Sequence, residues 1–124
     1  MKQALLVFLG GGLGSVLRYL ISKPLNLLSP NFFFGTFSVN ILGCLLIGLI
    51  LGLSARGNFL SYNSTLFLAT GFCGGFTTFS AFAFEKHFLL KNSDLIHFSI
   101  YMISSIVIGI LAVVLGLWLS KLGE

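Results

Sequence analysis

The sequence predicts an all-α membrane protein of four transmembrane helices, the third broken near its middle. Three observations carry that prediction. The chain of 124 residues is 56% hydrophobic and only 8% charged, with a mean hydropathy of +1.05, too apolar and charge-poor for a water-soluble globular domain. Four apolar runs, Ala4 to Ile21, Phe33 to Leu53, Leu66 to Phe84 and Leu95 to Leu119, match the roughly 20 residues that cross a hydrocarbon core. The third run contains "GFCGGFTTFSAF", Gly71 to Phe82. Its adjacent glycines are poor helix formers and its β-branched threonines are stiff, so both weaken the helix there.

The first run follows Lys2 and superficially resembles a secretory signal. However, "GGGLGSVLRYL" keeps it apolar well past signal length and three further spans follow, so it is expected to be the first span of a polytopic protein. Turn-forming residues punctuate the connections: Pro24, Asn26, Ser29, Pro30 and Asn31, then Arg56, Gly57, Asn58, Ser61 and Asn63, then Lys91, Asn92, Ser93 and Asp94. Ser93 or Asp94 is expected to cap the last helix. Asn63-Ser64-Thr65 matches a glycosylation sequon, and a helix start explains it equally well. Four spans and short turns consume nearly the whole chain, so residues 1–124 are expected to form a single membrane domain with no soluble catalytic domain.

Charge gives no orientation. One side of the four-span arrangement would carry Lys2, Arg56 and Lys121. The other would carry Lys23, Lys86 and Lys91, with Arg18 near the same end of the first span, which leaves the positive-inside rule nothing to act on. Dual insertion follows, with opposite-facing copies pairing about a two-fold axis in the membrane plane, unless a partner protein fixes the topology. Four helices cannot enclose a pore of their own, and a dimer is the simplest closed oligomer. Gly10 and Gly14, Gly48 and Gly52, and Gly71 and Gly75 are each four residues apart. Such pairs serve close helix packing, either within one chain or between copies.

Several functions are excluded by what the chain lacks. It has no HExxH, no phosphate-binding loop and no serine–histidine pairing with an orienting acid, so an enzyme is not expected. Basic residues occur singly, which excludes a nucleic-acid-binding patch. Cys44 and Cys73 lack paired spacing and read as small core residues. His87 and His97 read as interfacial. The acids Glu85, Asp94 and Glu124 fall at or near segment ends, whereas proton-coupled transporters keep one deep in a span.

The polar residues within the spans are mostly neutral: Asn40, Thr77, Thr78, Ser80, Tyr101, Ser104 and Ser105. Amide and hydroxyl donors suit an anion that has lost its water, without a fixed positive charge to trap it. Interhelical hydrogen bonding explains Ser104 and Ser105 as well, while Asn40, costly to bury in mid-span, points to a site. Arg18 fits either snorkelling to headgroups or an anion-collecting vestibule. Phe79 and Phe82 are neighbours on one helical face, and the positive edges of two rings can stabilise a small dehydrated anion. Where two antiparallel copies met at the break, four backbone carbonyls would face one another, which suits a cation.

These residues resemble the Fluc (CrcB) fluoride channels, small four-span proteins of bacteria and other microbes. The resemblance rests on "GGGLGSVLRY" (Gly10 to Tyr19), "GTFSVNILGCLLIG" (Gly35 to Gly48) and "GFCGGFTTFSAFAFE" (Gly71 to Glu85), in family order over nearly the whole chain. It implies a multi-pass protein of the cell (inner) membrane, an antiparallel dual-topology homodimer with two pores that passively exports fluoride. By the same resemblance Phe79 and Phe82 line the pore and Asn40 is the donor beside them. Ser80, Thr78, Tyr101, Ser105, Arg18 and Glu85 lie along the ion path. The backbone carbonyls of Gly74 and Thr77 hold a structural sodium ion (Na+) at the dimer centre. Ala81 and Gly109 depart from the family pattern, each lacking a hydroxyl. The competing readings are a small multidrug-type proton-coupled exporter, which needs a membrane-embedded glutamate, and a non-conducting membrane assembly subunit.

Overall fold

The computed structural model describes residues 1–29, 31–57 and 59–122. Pro30 and Asn58, read as loop punctuation, and Glu124, read as a chain-end acid, lie outside the described residues. Four helical spans, Lys2–Asn26, Phe34–Ala55, Tyr62–Lys91 and Leu95–Leu119, are long and apolar enough to cross a membrane. The first two and the last are single helices, α1 (Lys2–Asn26), α2 (Phe34–Ala55) and α6 (Leu95–Leu119).

The third span is composite. It starts with α3 (Tyr62–Thr65), passes through a π-helical stretch, Leu66–Cys73, and a short α4 (Gly74–Phe76), then resumes as α5 (Phe79–Lys91). Thr77 and Thr78 between them have extended backbone angles, φ −85° and ψ 159°, then φ −148° and ψ 115°. The span as a whole bends by 19°.

Observed helices exceed the apolar runs wherever polar residues extend them. Pro24, expected in a connection, lies inside the last turns of α1. The third span runs from Tyr62 to Lys91 because Ser61 caps its start, accepting a hydrogen bond from the Ser64 N–H, and because α5 continues through Glu85, Lys86 and His87. Asp94 caps α6 by accepting from the His97 N–H at 3.2 Å. Its bond with the His97 side chain also holds the Asp94 carboxyl below its ordinary range.

Packing follows the small residues. A Cβ at Gly10 or Gly14 would run into the backbone of the third span at Phe67 and Phe72, and one at Gly75 would strike the backbone of Gly11. Gly48 meets the backbone of Val113, and Gly116 that of Leu45 and Leu49. All three glycine pairs therefore serve contacts within one chain, joining α1 to the third span and α2 to α6. Most of the side-chain surface of the spans remains uncovered, with only 11% of the α1 window buried. The large apolar residues there, such as Leu13, Val16 and Ile103, suit lipid or a second chain.

Candidate functional site

The extended pair Thr77-Thr78 releases backbone groups that a continuous helix would pair, and the side chains around it satisfy most of them. The Thr78 N–H, which would otherwise bond the Gly74 carbonyl, donates to Asn40 Oδ1 at 2.7 Å, while Asn40 Nδ2 donates to the Thr78 carbonyl at 3.1 Å. Asn40 on α2 thus pairs with Thr78 as a neighbouring strand would. These two bonds fix which end of the amide is nitrogen, and they leave one of its N–H groups for another acceptor. The Thr78 hydroxyl caps α5, accepting from Ala81 N–H at 3.2 Å, and lies 3.3 Å from the Ser80 hydroxyl. Thr77 Oγ1 donates back to the Cys73 carbonyl at 2.9 Å. The Gly75 carbonyl accepts from Arg18 Nε at 3.0 Å and from Ser15 Oγ at 3.3 Å.

A cavity of about 480 Å³ opens beside this extended pair, between α2, the third span and α6. Asn40, Gly74, Thr77, Thr78, Phe79, Phe82 and Ser105, all singled out from sequence, line it. Ser105 Oγ is buried there without a hydrogen-bond partner among the described residues, although a buried hydroxyl ordinarily finds one. Phe79 and Phe82 sit with ring centroids 6.1 Å apart and planes inclined by 40°. Phe79 is 79% exposed in the single chain. Phe72 and Phe76, by contrast, stack on each other at 5.6 Å and pack inward. Cys73 belongs to the apolar core with Ile50 and Ala69, while Cys44 borders the cavity. Both thiols are free.

Glu85 and Tyr101 form a second polar group at the end of the bundle where α1 finishes and α6 starts. Glu85, expected at a segment end, is instead buried within the third span at 6% exposure. The helix continues six residues past it to Lys91 and packs on α6, which turns the carboxylate inward. Its oxygens accept from Thr36 Oγ1 at 2.5 Å and from the Tyr101 hydroxyl at 2.8 Å. Thr36 in turn accepts from Asn26 Nδ2, and Asn26 Oδ1 caps α2 by accepting from the N–H groups of Gly35 and Thr36. Phe82 links the two groups: it lines the cavity and meets Tyr101 edge-on, with centroids 5.4 Å apart.

Arg18 stands apart. It reaches the third span from the α1 side, at the Gly75 carbonyl, and does not line the cavity. Ser80 is exposed at the first turn of α5 and Tyr101 is wholly buried. Sequence reasoning read Asn26 only as loop punctuation and Lys86 only as a topology charge, and it passed over Ser15 and Thr36. Available signals were Thr36 inside the "GTFSVN" segment and two adjacent charges, Glu85-Lys86, on an apolar span.

No cluster of three or more His, Cys, Asp or Glu side chains forms among the described residues. At Gly74 a Cβ would meet nothing within 4 Å, and the Thr78 N–H, the usual helical donor to the Gly74 carbonyl, goes to Asn40 instead.

The family model described as CrcB-like protein, Camphor Resistance (CrcB), matches residues 5–117. A protein of Phocaeicola vulgatus named fluoride-specific ion channel FluC is 50% identical over 122 residues, covering 98% of this chain and 100% of its own length. Proteins with the same name from Gloeothece citriformis and Bacteroides fragilis are 47% and 48% identical, covering 99% and 98% of this chain and 100% and 98% of their own lengths. The chain belongs to the CrcB-like family.

Proposed function

We propose that this chain is a fluoride-selective channel that lets fluoride leave the cytoplasm passively, relieving its toxicity. The observation that carries the reading is the cavity at the break. There Asn40, fixed by Thr78 but with a spare N–H, and the unpartnered Ser105 hydroxyl stand beside the Phe79 and Phe82 rings. Hydrogen-bond donors and ring edges, with no acid among the lining residues, suit a small dehydrated anion. The name shared by the full-length relatives points the same way.

The driving force needs no fuel. Fluoride enters as its neutral weak acid and ionises at cytoplasmic pH. The membrane potential, worth about 2.3 kcal/mol per charge per 100 mV, then drives the anion out through any passive path.

The working unit in this reading is an antiparallel dual-topology homodimer with two pores in the cell (inner) membrane. Its support is the open flank of the single chain: Phe79 is exposed, Gly74 faces open space and the cavity is not closed by four helices alone. At the dimer centre, the Gly74 and Thr77 carbonyls of both copies would hold a structural Na+, an all-oxygen site suited to a hard cation. Arg18 acts in this reading by holding the break through Gly75, and Glu85 and Tyr101 form the outer part of the path.

The buried Glu85 is the one feature that favours a proton-coupled exporter. Both of its oxygens are engaged by hydroxyl donors and it lies outside the cavity lining, so the channel reading is preferred. Expression in a fluoride-hypersensitive bacterium lacking its own exporter tests it. Restored growth in fluoride medium is expected, and continued sensitivity despite membrane expression would reject the proposal.

A further inference from the structure

Lys86 is out of place for a lysine near the end of a membrane span. Such residues ordinarily extend along the apolar surface and deliver the ammonium to the headgroups. Lys86 turns inward instead and is 7% exposed. Its Nζ donates to the Phe98 carbonyl at 3.0 Å and stands over three rings, 3.7 Å from the centroid of Tyr101 and 5.2 Å from those of Phe82 and Phe98. A cation within about 6 Å of a ring centroid is attracted to the negative face of the ring.

Two of these rings, Phe82 and Tyr101, belong to the proposed path. Phe82 lines the cavity and touches Tyr101, and Tyr101 donates its hydroxyl to Glu85. A positive charge on the face of a phenyl ring draws electron density toward itself. The ring's hydrogen-bearing edge becomes more positive as a result, and that edge is the part of the quadrupole an anion approaches. The same charge lies beside Glu85 in sequence and offsets the repulsion that a carboxylate exerts on an anion passing Tyr101.

Resting on the channel reading above, we infer that Lys86 is a specificity-determining positioning residue. Its ammonium, held in the Tyr101, Phe82 and Phe98 cage, polarises the Phe82 edge toward the anion and screens the Glu85 carboxylate. It acts through the rings and is not itself a stop for the ion, because its N–H groups face Phe98 and the aromatic faces. The structural alternative is that Lys86 merely fastens α5 to α6 through the Phe98 carbonyl.

Charge and hydrogen bonding separate these readings. Lys86→Gln keeps an amide donor for Phe98 and removes the charge, Lys86→Met removes both, and Lys86→Arg keeps the charge over the rings. Fluoride and chloride efflux are measured from liposomes holding each purified protein, with wild type as reference. Lys86→Gln and Lys86→Met are expected to lower fluoride efflux by about tenfold or more, to narrow the fluoride over chloride ratio, and to elute at the wild-type size. Lys86→Arg is expected to restore most of the flux. Wild-type efflux and selectivity in Lys86→Gln would overturn the inference while leaving the channel reading intact, and would do so even if Lys86→Met failed to fold. Absence of fluoride efflux from wild type would remove both.

Discussion

Asn40 and Thr78 exchange two hydrogen bonds, side-chain amide to backbone, across the interface between α2 and the third span. The pair does for the extended Thr77-Thr78 segment what a helix would have done for itself. It also leaves one N–H of Asn40, a residue that lines the cavity, for another acceptor.

Removal of the pair should therefore damage both fold and flux. Asn40→Ala strands the Thr78 N–H and carbonyl, at roughly 1–3 kcal/mol for each buried group left unsatisfied, and should lower the detergent melting temperature as well as fluoride efflux. Asn40→Asp keeps the acceptor for the Thr78 N–H but sets a carboxylate against the Thr78 carbonyl and on the anion path, and should block flux. Full conductance in Asn40→Asp would remove Asn40 from the path.

Phe82 is the ring common to the cavity and the Glu85–Tyr101 group. Phe82→Ile is similar enough in size to cost stability only modestly, while it abolishes the positive ring edge. Flux should fall at least about tenfold with the oligomer unchanged on size exclusion. Unaltered flux would show that the ring only packs.

Two glycines give opposite expectations. Gly14→Ala sets a methyl against the backbone of Phe72 and Phe76. Backbone cannot rotate away, so the upper end of the ~1–3 kcal/mol overpacking cost outweighs the ~1 kcal/mol gain in helix propensity. Yield and melting temperature should drop. At Gly74 a Cβ meets nothing within 4 Å in the chain, so Gly74→Ala should leave the single-chain fold intact and, on the proposed dimer reading, reveal itself only in dimer stability or sodium dependence. Thermal unfolding with chemical crosslinking distinguishes the two. Equal loss of fold in both variants would contradict the packing described.

The proposed cation site makes its own demand. Replacing sodium throughout purification and assay with a bulky organic cation should lower fluoride efflux or dimer stability. Indifference of both would count against carbonyl-bound sodium at Gly74 and Thr77.

Much of this was legible in the sequence because bilayer physics narrows the choices. Apolar length alone located four spans, and for Leu95–Leu119 even both ends. The site residues of the third run stood out because glycines and hydroxyls are unusual in an apolar helix. Less legible was anything set by neighbours in space. Glu85 read as a segment end because Lys86, His87 and Lys91 follow it, yet packing against α6 carries the helix on and buries the carboxylate. Arg18 fitted two roles from its position, and its actual partner, the Gly75 carbonyl, is left without its helical donor because the backbone is extended two residues later. The use of each glycine pair within the chain likewise depended on which helix lay opposite.

The central claim, that the cavity at the break passes fluoride selectively, is tested most directly by anion efflux from liposomes reconstituted with the purified wild-type protein. A fluoride electrode and a chloride electrode should read rapid fluoride release under a potassium-ionophore potential and no chloride release. Equal leakage of the two anions, or release of neither, would contradict it.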